Sequence, residues 1–155
     1  MLARLAAQVH SLLGGAPEGD SIAREEAVQL ATAVLLAEVA NADRQITDAE
    51  RDALAALLQV HFSLSEEATR DIVFDGFAQA EESVSLQGYT RTLHEALSDT
   101  EKKRVIAMLW SVAYADGELD RFEDALIARV GELMYVPRSD VLRLKAEAAT
   151  PRVQE

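Results

Sequence analysis

At 155 residues and 16.9 kDa, with 49 % apolar content, the chain suits one domain built around a single buried core. Against 15 Lys and Arg stand 27 Asp and Glu, a net charge of −12 with a pI near 4.6, so nucleic acid and anionic membrane surfaces are not expected as partners: both need clustered cations. The absence of cysteine excludes disulfides, thiolate zinc sites and cysteine nucleophiles. No apolar run approaches the roughly 20 residues that span a bilayer. The longest, Leu30 to Ala40, is interrupted by Glu38, and Gln8, His10 and Ser11 break the N-terminus where a signal peptide would be continuous. A soluble, cytoplasmic protein is expected.

In chain order nearly every segment carries the 3.6-residue period, which predicts an all-α, single-domain bundle of about seven to eight helices. Residues 1–16 read as an amphipathic helix with Leu2, Leu5, Val9 and Leu12 on one stripe, ended by Gly14 and Gly15. Such a stripe is expected to pack on its own bundle or on a second copy, giving a monomer or a homodimer. The main domain is expected over residues 21–149. Asp20 or Ser21 caps a long helix reaching about Ala42, with Val28, Ala31, Leu35 and Val39 inward. Thr47 opens the next, lined by Leu54, Leu57, Leu58 and His61, and Ser65 caps another bearing Ile72, Val73 and Phe77. A shorter helix covers Tyr89 to Leu97. Ser98 and Glu101 form a capping box before a helix with Val105, Met108, Leu109 and Val112 as its stripe. From Asp120 a further helix is expected to bury Phe122, Leu126, Val130 and Leu133. Pro137 then introduces a last one with Val141, Leu142 and Leu144.

Within this pattern one acidic motif occurs twice, as VANADRQITDAE from Val39 and as VAYADGELDRFE from Val112, an offset of 73 positions. Val39, Ala40, Ala42, Asp43 and Glu50 fall on Val112, Ala113, Ala115, Asp116 and Glu123. Each copy predicts the same object: a helix end, a tight turn carrying an Asp, and a new helix. Segments 28–64 and 101–137 are therefore expected to form equivalent helix-turn-helix units, an internal pseudo-repeat. In DGELDRFE the acidic spacing is that of the second half of an EF-hand calcium loop, but Val112 and Tyr114 stand where its first ligands belong, so a complete EF-hand is excluded. Two half-loops brought together would offer Asp43, Glu50, Asp116 and Glu123 to a hard divalent cation of the Ca²⁺ or Mg²⁺ class. The alternative is structural. Thr47-x-x-Glu50 and Asp120-x-x-Glu123 also read as capping boxes, which account for both glutamates without metal. Asp43 and Asp116 end helices, where the macrodipole disfavours a carboxylate, so each requires compensation from turn amides, an arginine or a cation.

At these residues, ADRQITDAE and ADGELDRFE, the chain resembles the TerB-like (tellurite-resistance protein B) family, whose hallmark is a helix ending in A-D-G-x-[IL]-x-x-x-E. The resemblance covers about residues 25–149. It implies a bundle of about seven helices with internal pseudo-symmetry, and an acidic cluster, here Asp43, Glu50, Asp116 and Glu123, proposed to bind metal in a bacterial stress response. Arg44 replaces the motif's glycine in the first copy, so that turn either avoids positive φ or bears about 1 kcal/mol of strain. A TerB-like domain also precedes the J-domain in one class of membrane-anchored co-chaperone. With no anchor and no HPD motif, this chain is expected to be the free-standing form.

Other sites are weaker. His10, His61 and His94 lie on different helices without zinc-site spacing, no phosphate-binding glycine loop occurs, and no nucleophile–base constellation supports an enzyme. Trp110 and Tyr114 are expected at the core boundary. Glu66, Glu67, Asp71, Asp75, Glu81 and Glu82 read as a solvated face able to steer a basic partner. Two function classes result: a non-catalytic metal-binding stress protein, or a protein-interaction module whose acidic motifs only cap helices and fix turns.

Overall fold

The computed structural model describes residues 21–42, 46–82 and 85–149. The expected helix over 1–16, and with it His10, lies outside them, as do Asp43 and Arg44. The described residues form an all-α bundle without strands: α1 (Ser21–Ala40), α2 (Asp48–Phe62), α3 (Glu66–Glu82), α4 (Gln87–Ala96), α5 (Asp99–Ala113), α6 (Arg121–Leu133) and α7 (Arg138–Ala149).

The axis of the bundle is α1. From Leu30 to Ala37 it carries no charge, and every residue of that stretch is buried, so the single inward stripe expected for it is too narrow. A helix that is apolar all round must be enclosed on all sides. Accordingly α2, α3, α4, α5 and α6 all pack against α1. The approach of α3 is close enough that a Cβ on Gly76 would lie 3.0 Å from both the Cβ and the carbonyl oxygen of Ala33. The second apolar helix is α5, with Val105, Ile106, Leu109, Trp110, Val112 and Ala113 buried, and α7 and α6 rest on it.

Local chemistry sets the helix ends. Ser98 Oγ accepts from Glu101 N at 3.2 Å while Glu101 Oε1 accepts from Ser98 N at 2.8 Å, the expected capping box of α5. Ser65 Oγ accepts from Ala68 N at 3.0 Å and starts α3. At their C-termini α2 and α6 each leave the helix through a left-handed residue, Ser63 (φ 54°) and Tyr135 (φ 60°). The amides of Leu64 and Val136 bond back to the Gln59 and Gly131 carbonyls, each at 2.9 Å.

Four packing expectations need correction. Phe122 is 53 % exposed, because α6 turns Glu123, Ile127 and Val130 to the core, with Met134 just past its end, so that of the expected row Val130 alone is fully buried. Leu142 is exposed, leaving Val141 and Leu144 to face the core. Trp110 is fully buried and not at the boundary. Asp75, read as part of a solvated face, is buried on α3 beside Ile72 and Gly76.

Candidate functional site

The two acidic motifs form the corners between α1 and α2 and between α5 and α6. At the second corner the chain leaves α5 through Tyr114 N to Trp110 O at 3.0 Å and Ala115 N to Val112 O at 3.1 Å. Gly117 N then bonds Tyr114 O at 2.9 Å, and Gly117 takes φ 91°, the expected positive value that only glycine adopts freely. The carboxylate of Asp116 is exposed at this bend. Its Oδ1 accepts from Glu118 N at 3.1 Å, so the compensation for its place at a helix C-terminus comes from a turn amide. Asp120 caps α6, its Oδ2 accepting from Phe122 N at 2.8 Å, and Glu123 Oε1 accepts from Asp120 N at 3.1 Å.

At the first corner the two helix-end bonds and a capping box are also present. Asn41 N reaches Ala37 O at 3.0 Å and Ala42 N reaches Val39 O at 3.2 Å. Thr47 Oγ1 accepts from Glu50 N at 3.0 Å, and Glu50 Oε1 accepts from Thr47 N at 3.1 Å, a complete capping box. Both box glutamates are 1 % exposed. Glu50 shares its helical row with Leu54 and Leu58 as Glu123 does with Ile127 and Val130, so each acidic side chain occupies what would otherwise be a core position. The burial of a carboxylate is disfavoured unless hydrogen bonds repay its lost hydration, and the cap's backbone N–H supplies one such bond.

As cation ligands these groups are already engaged. One oxygen of Glu50, one of Glu123 and one of Asp116 already accept from backbone amides. Among the described residues no group of three or more His, Asp or Glu side chains is gathered as a metal ion requires. The described carboxylates therefore do not by themselves make a closed divalent site, and Asp43 lies outside the described residues. Neither described histidine adds a ligand to the corners. His61 is exposed near the end of α2, its imidazole pushed down by partial burial and by the Arg104 charge. His94, on α4, has its Nδ1 2.6 Å from Lys102 Nζ. Sequence reasoning missed that contact, for which spacing along one helix carries no signal.

What the fold and corners define is a helical bundle hinged at two capped acidic bends. Residues 29–146 match the family model described as Tellurite resistance protein TerB, and the chain belongs to that family. Neither a curated protein nor a solved structure matches it. Among the described residues no helix is long and apolar enough to cross a membrane.

Proposed function

We propose that this chain is a non-catalytic TerB domain of a cytoplasmic stress response, which works by binding a protein partner and whose acidic motifs are corner pieces of the fold. The observation that carries this reading is the use of the motif carboxylates: Glu50 and Glu123 each accept the N–H of their helix's N-cap residue, and Asp116 accepts a turn amide. A binding face is available on α3, where Glu67, Asp71, Phe74 and Glu81 fall at helical spacing and Phe74 is 72 % exposed. An exposed ring framed by carboxylates suits a basic, amphipathic segment of a partner.

A second reading is the divalent-cation site at Asp43, Glu50, Asp116 and Glu123. It is favoured by the burial of Glu50 and Glu123, since buried carboxylates gain most from a cation. One experiment separates the two. Chelator-treated protein is unfolded thermally with and without millimolar Ca²⁺, Mg²⁺, Mn²⁺ or Zn²⁺. Unchanged melting temperatures uphold the corner reading. A rise that Asp116→Ala abolishes and Thr47→Ala leaves in place establishes the cation site instead.

A further inference from the structure

Lys102 is 5 % exposed on α5, yet no carboxylate lies within ion-pair distance of it among the described residues. Its one side-chain partner among the described residues is the His94 imidazole, with Nζ 2.6 Å from Nδ1. A buried ammonium without a counter-charge is among the least favourable arrangements in a protein core, and an imidazole lone pair satisfies one of its three donors but none of its charge. An ammonium has no acceptor, so Nδ1 must accept and the ring proton sits on Nε2. The ring thus offers an N–H donor on the side away from Lys102, with a positive charge behind it.

The His94 side chain also lines an open cavity of about 640 Å³ whose wall includes Gln87, Arg91, Glu95 and Tyr135. Arg91 precedes His94 by three residues on α4, is exposed, and forms no ion pair among the described residues. The Tyr135 ring lies 4.7 Å from the His94 ring, tilted by 47°, and is 75 % exposed. Tyr135 is itself the left-handed residue, at φ 60°, through which the chain leaves α6, and that turn places its ring beside His94. Glu95 is the opposing charge in the wall.

We propose that this cavity is a binding site for a small oxyanion. The His94 Nε2–H and the Arg91 guanidinium donate to the ligand's oxygens, Lys102 is a positioning residue that fixes the tautomer and supplies charge from behind, and Tyr135 holds the imidazole plane. Charge-assisted donors of this type select phosphoryl and carboxylate groups alike. The net charge of −12 does not prevent binding, because distant carboxylates are screened beyond about 8 Å at physiological salt. The proposal is independent of the acidic corners and of the α3 face.

The test is an imidazole-resolved NMR titration of the full chain with inorganic phosphate and, separately, with acetate, at constant pH and ionic strength. The His94 ring signals are expected to move saturably while those of His61 stay in place. Removal of one charge-assisted donor in Arg91→Ala weakens binding about tenfold. Glu95→Gln tightens it, and Lys102→Met removes the response. If Lys102→Met does not fold, the exposed positions 91 and 95 still decide the matter. Saturation by phosphate alone identifies a phosphoryl ligand, and by acetate alone a carboxylate. A His94 signal that does not saturate with either anion, or an affinity unchanged by Arg91→Ala and Glu95→Gln, overturns the proposal.

Discussion

The indole N–H of Trp110 donates to the backbone carbonyl of Val141 at 3.1 Å, a fully buried hydrogen bond that ties α5 to the first turn of α7. Inside a helix that carbonyl also serves the amide four residues on, so removal of the indole N–H leaves no orphaned acceptor. Trp110→Phe is therefore expected to cost about 1–2 kcal/mol, from the lost bond and a small void, whereas Trp110→Ala costs about 3–5 kcal/mol through the cavity it opens. Urea unfolding midpoints measure both. A Phe variant as stable as the parent would show that the bond contributes nothing to the attachment of α7.

The corner caps predict a second set of values. Thr47→Ala removes the acceptor for Glu50 N, and Asp120→Ala that for Phe122 N, so each is expected to lose about 1 kcal/mol, with Thr47→Ser close to neutral. Glu50→Ala should exceed either, because it deletes a side chain buried in the Leu54–Leu58 row as well as the reciprocal bond to Thr47 N. If Glu50→Ala cost no more than Thr47→Ala in the same denaturant series, the glutamate would be a cap alone and its burial without energetic weight.

These residues also show what the sequence could reveal. A capping box is written in four consecutive positions, so Thr47–Glu50, Ser98–Glu101 and Asp120–Glu123 were legible, as was positive φ at Gly117. Phe122 was misplaced for the same local reason: the cap turns Glu123 inward, which rotates the apolar Phe122 out, and hydrophobicity alone assigns them the other way. The enclosure of α1 had a signal in its charge-free run, but a run of that kind identifies burial only once neighbours on every side are known. Whether two corners converge, or whether a lysine of α5 meets a histidine of α4, depends on packing between helices, and no period within a helix encodes it.

Two glycines in helices make opposite predictions. At Gly76 a methyl group would stand 3.0 Å from the Ala33 carbonyl oxygen, which is backbone and cannot yield easily, whereas at Gly88 nothing lies within 4 Å. Alanine gains about 1 kcal/mol of helix propensity at either site, but at Gly76 overpacking costs about 1–3 kcal/mol. Gly88→Ala is thus expected to stabilise the protein by up to about 1 kcal/mol, and Gly76→Ala to be neutral or destabilising by up to about 2 kcal/mol. Equal midpoints for the two variants would contradict the close α1–α3 approach.

The last prediction concerns Asp75, buried on α3 with Oδ2 lacking a hydrogen-bond partner. Burial pushes its carboxyl above the usual range, and the neighbouring charge of Asp71 adds to the rise. The folded protein therefore holds this proton more tightly than the unfolded chain does. The resulting stabilisation is fully present below the unfolded pKa of about 3.9 and is lost as pH rises through the higher folded value. At about pH 7 the ionised group is accordingly a liability, and Asp75→Asn is expected to unfold at equal or higher urea than the parent. As the pH is lowered from there toward the unfolded pKa, the parent should gain on the variant, since only the parent takes up a proton at this position. Urea midpoints for both proteins across that range test the sign. A difference that stays constant with pH would mean that the Asp75 carboxyl titrates alike in the folded and unfolded states, and that its burial has no electrostatic consequence.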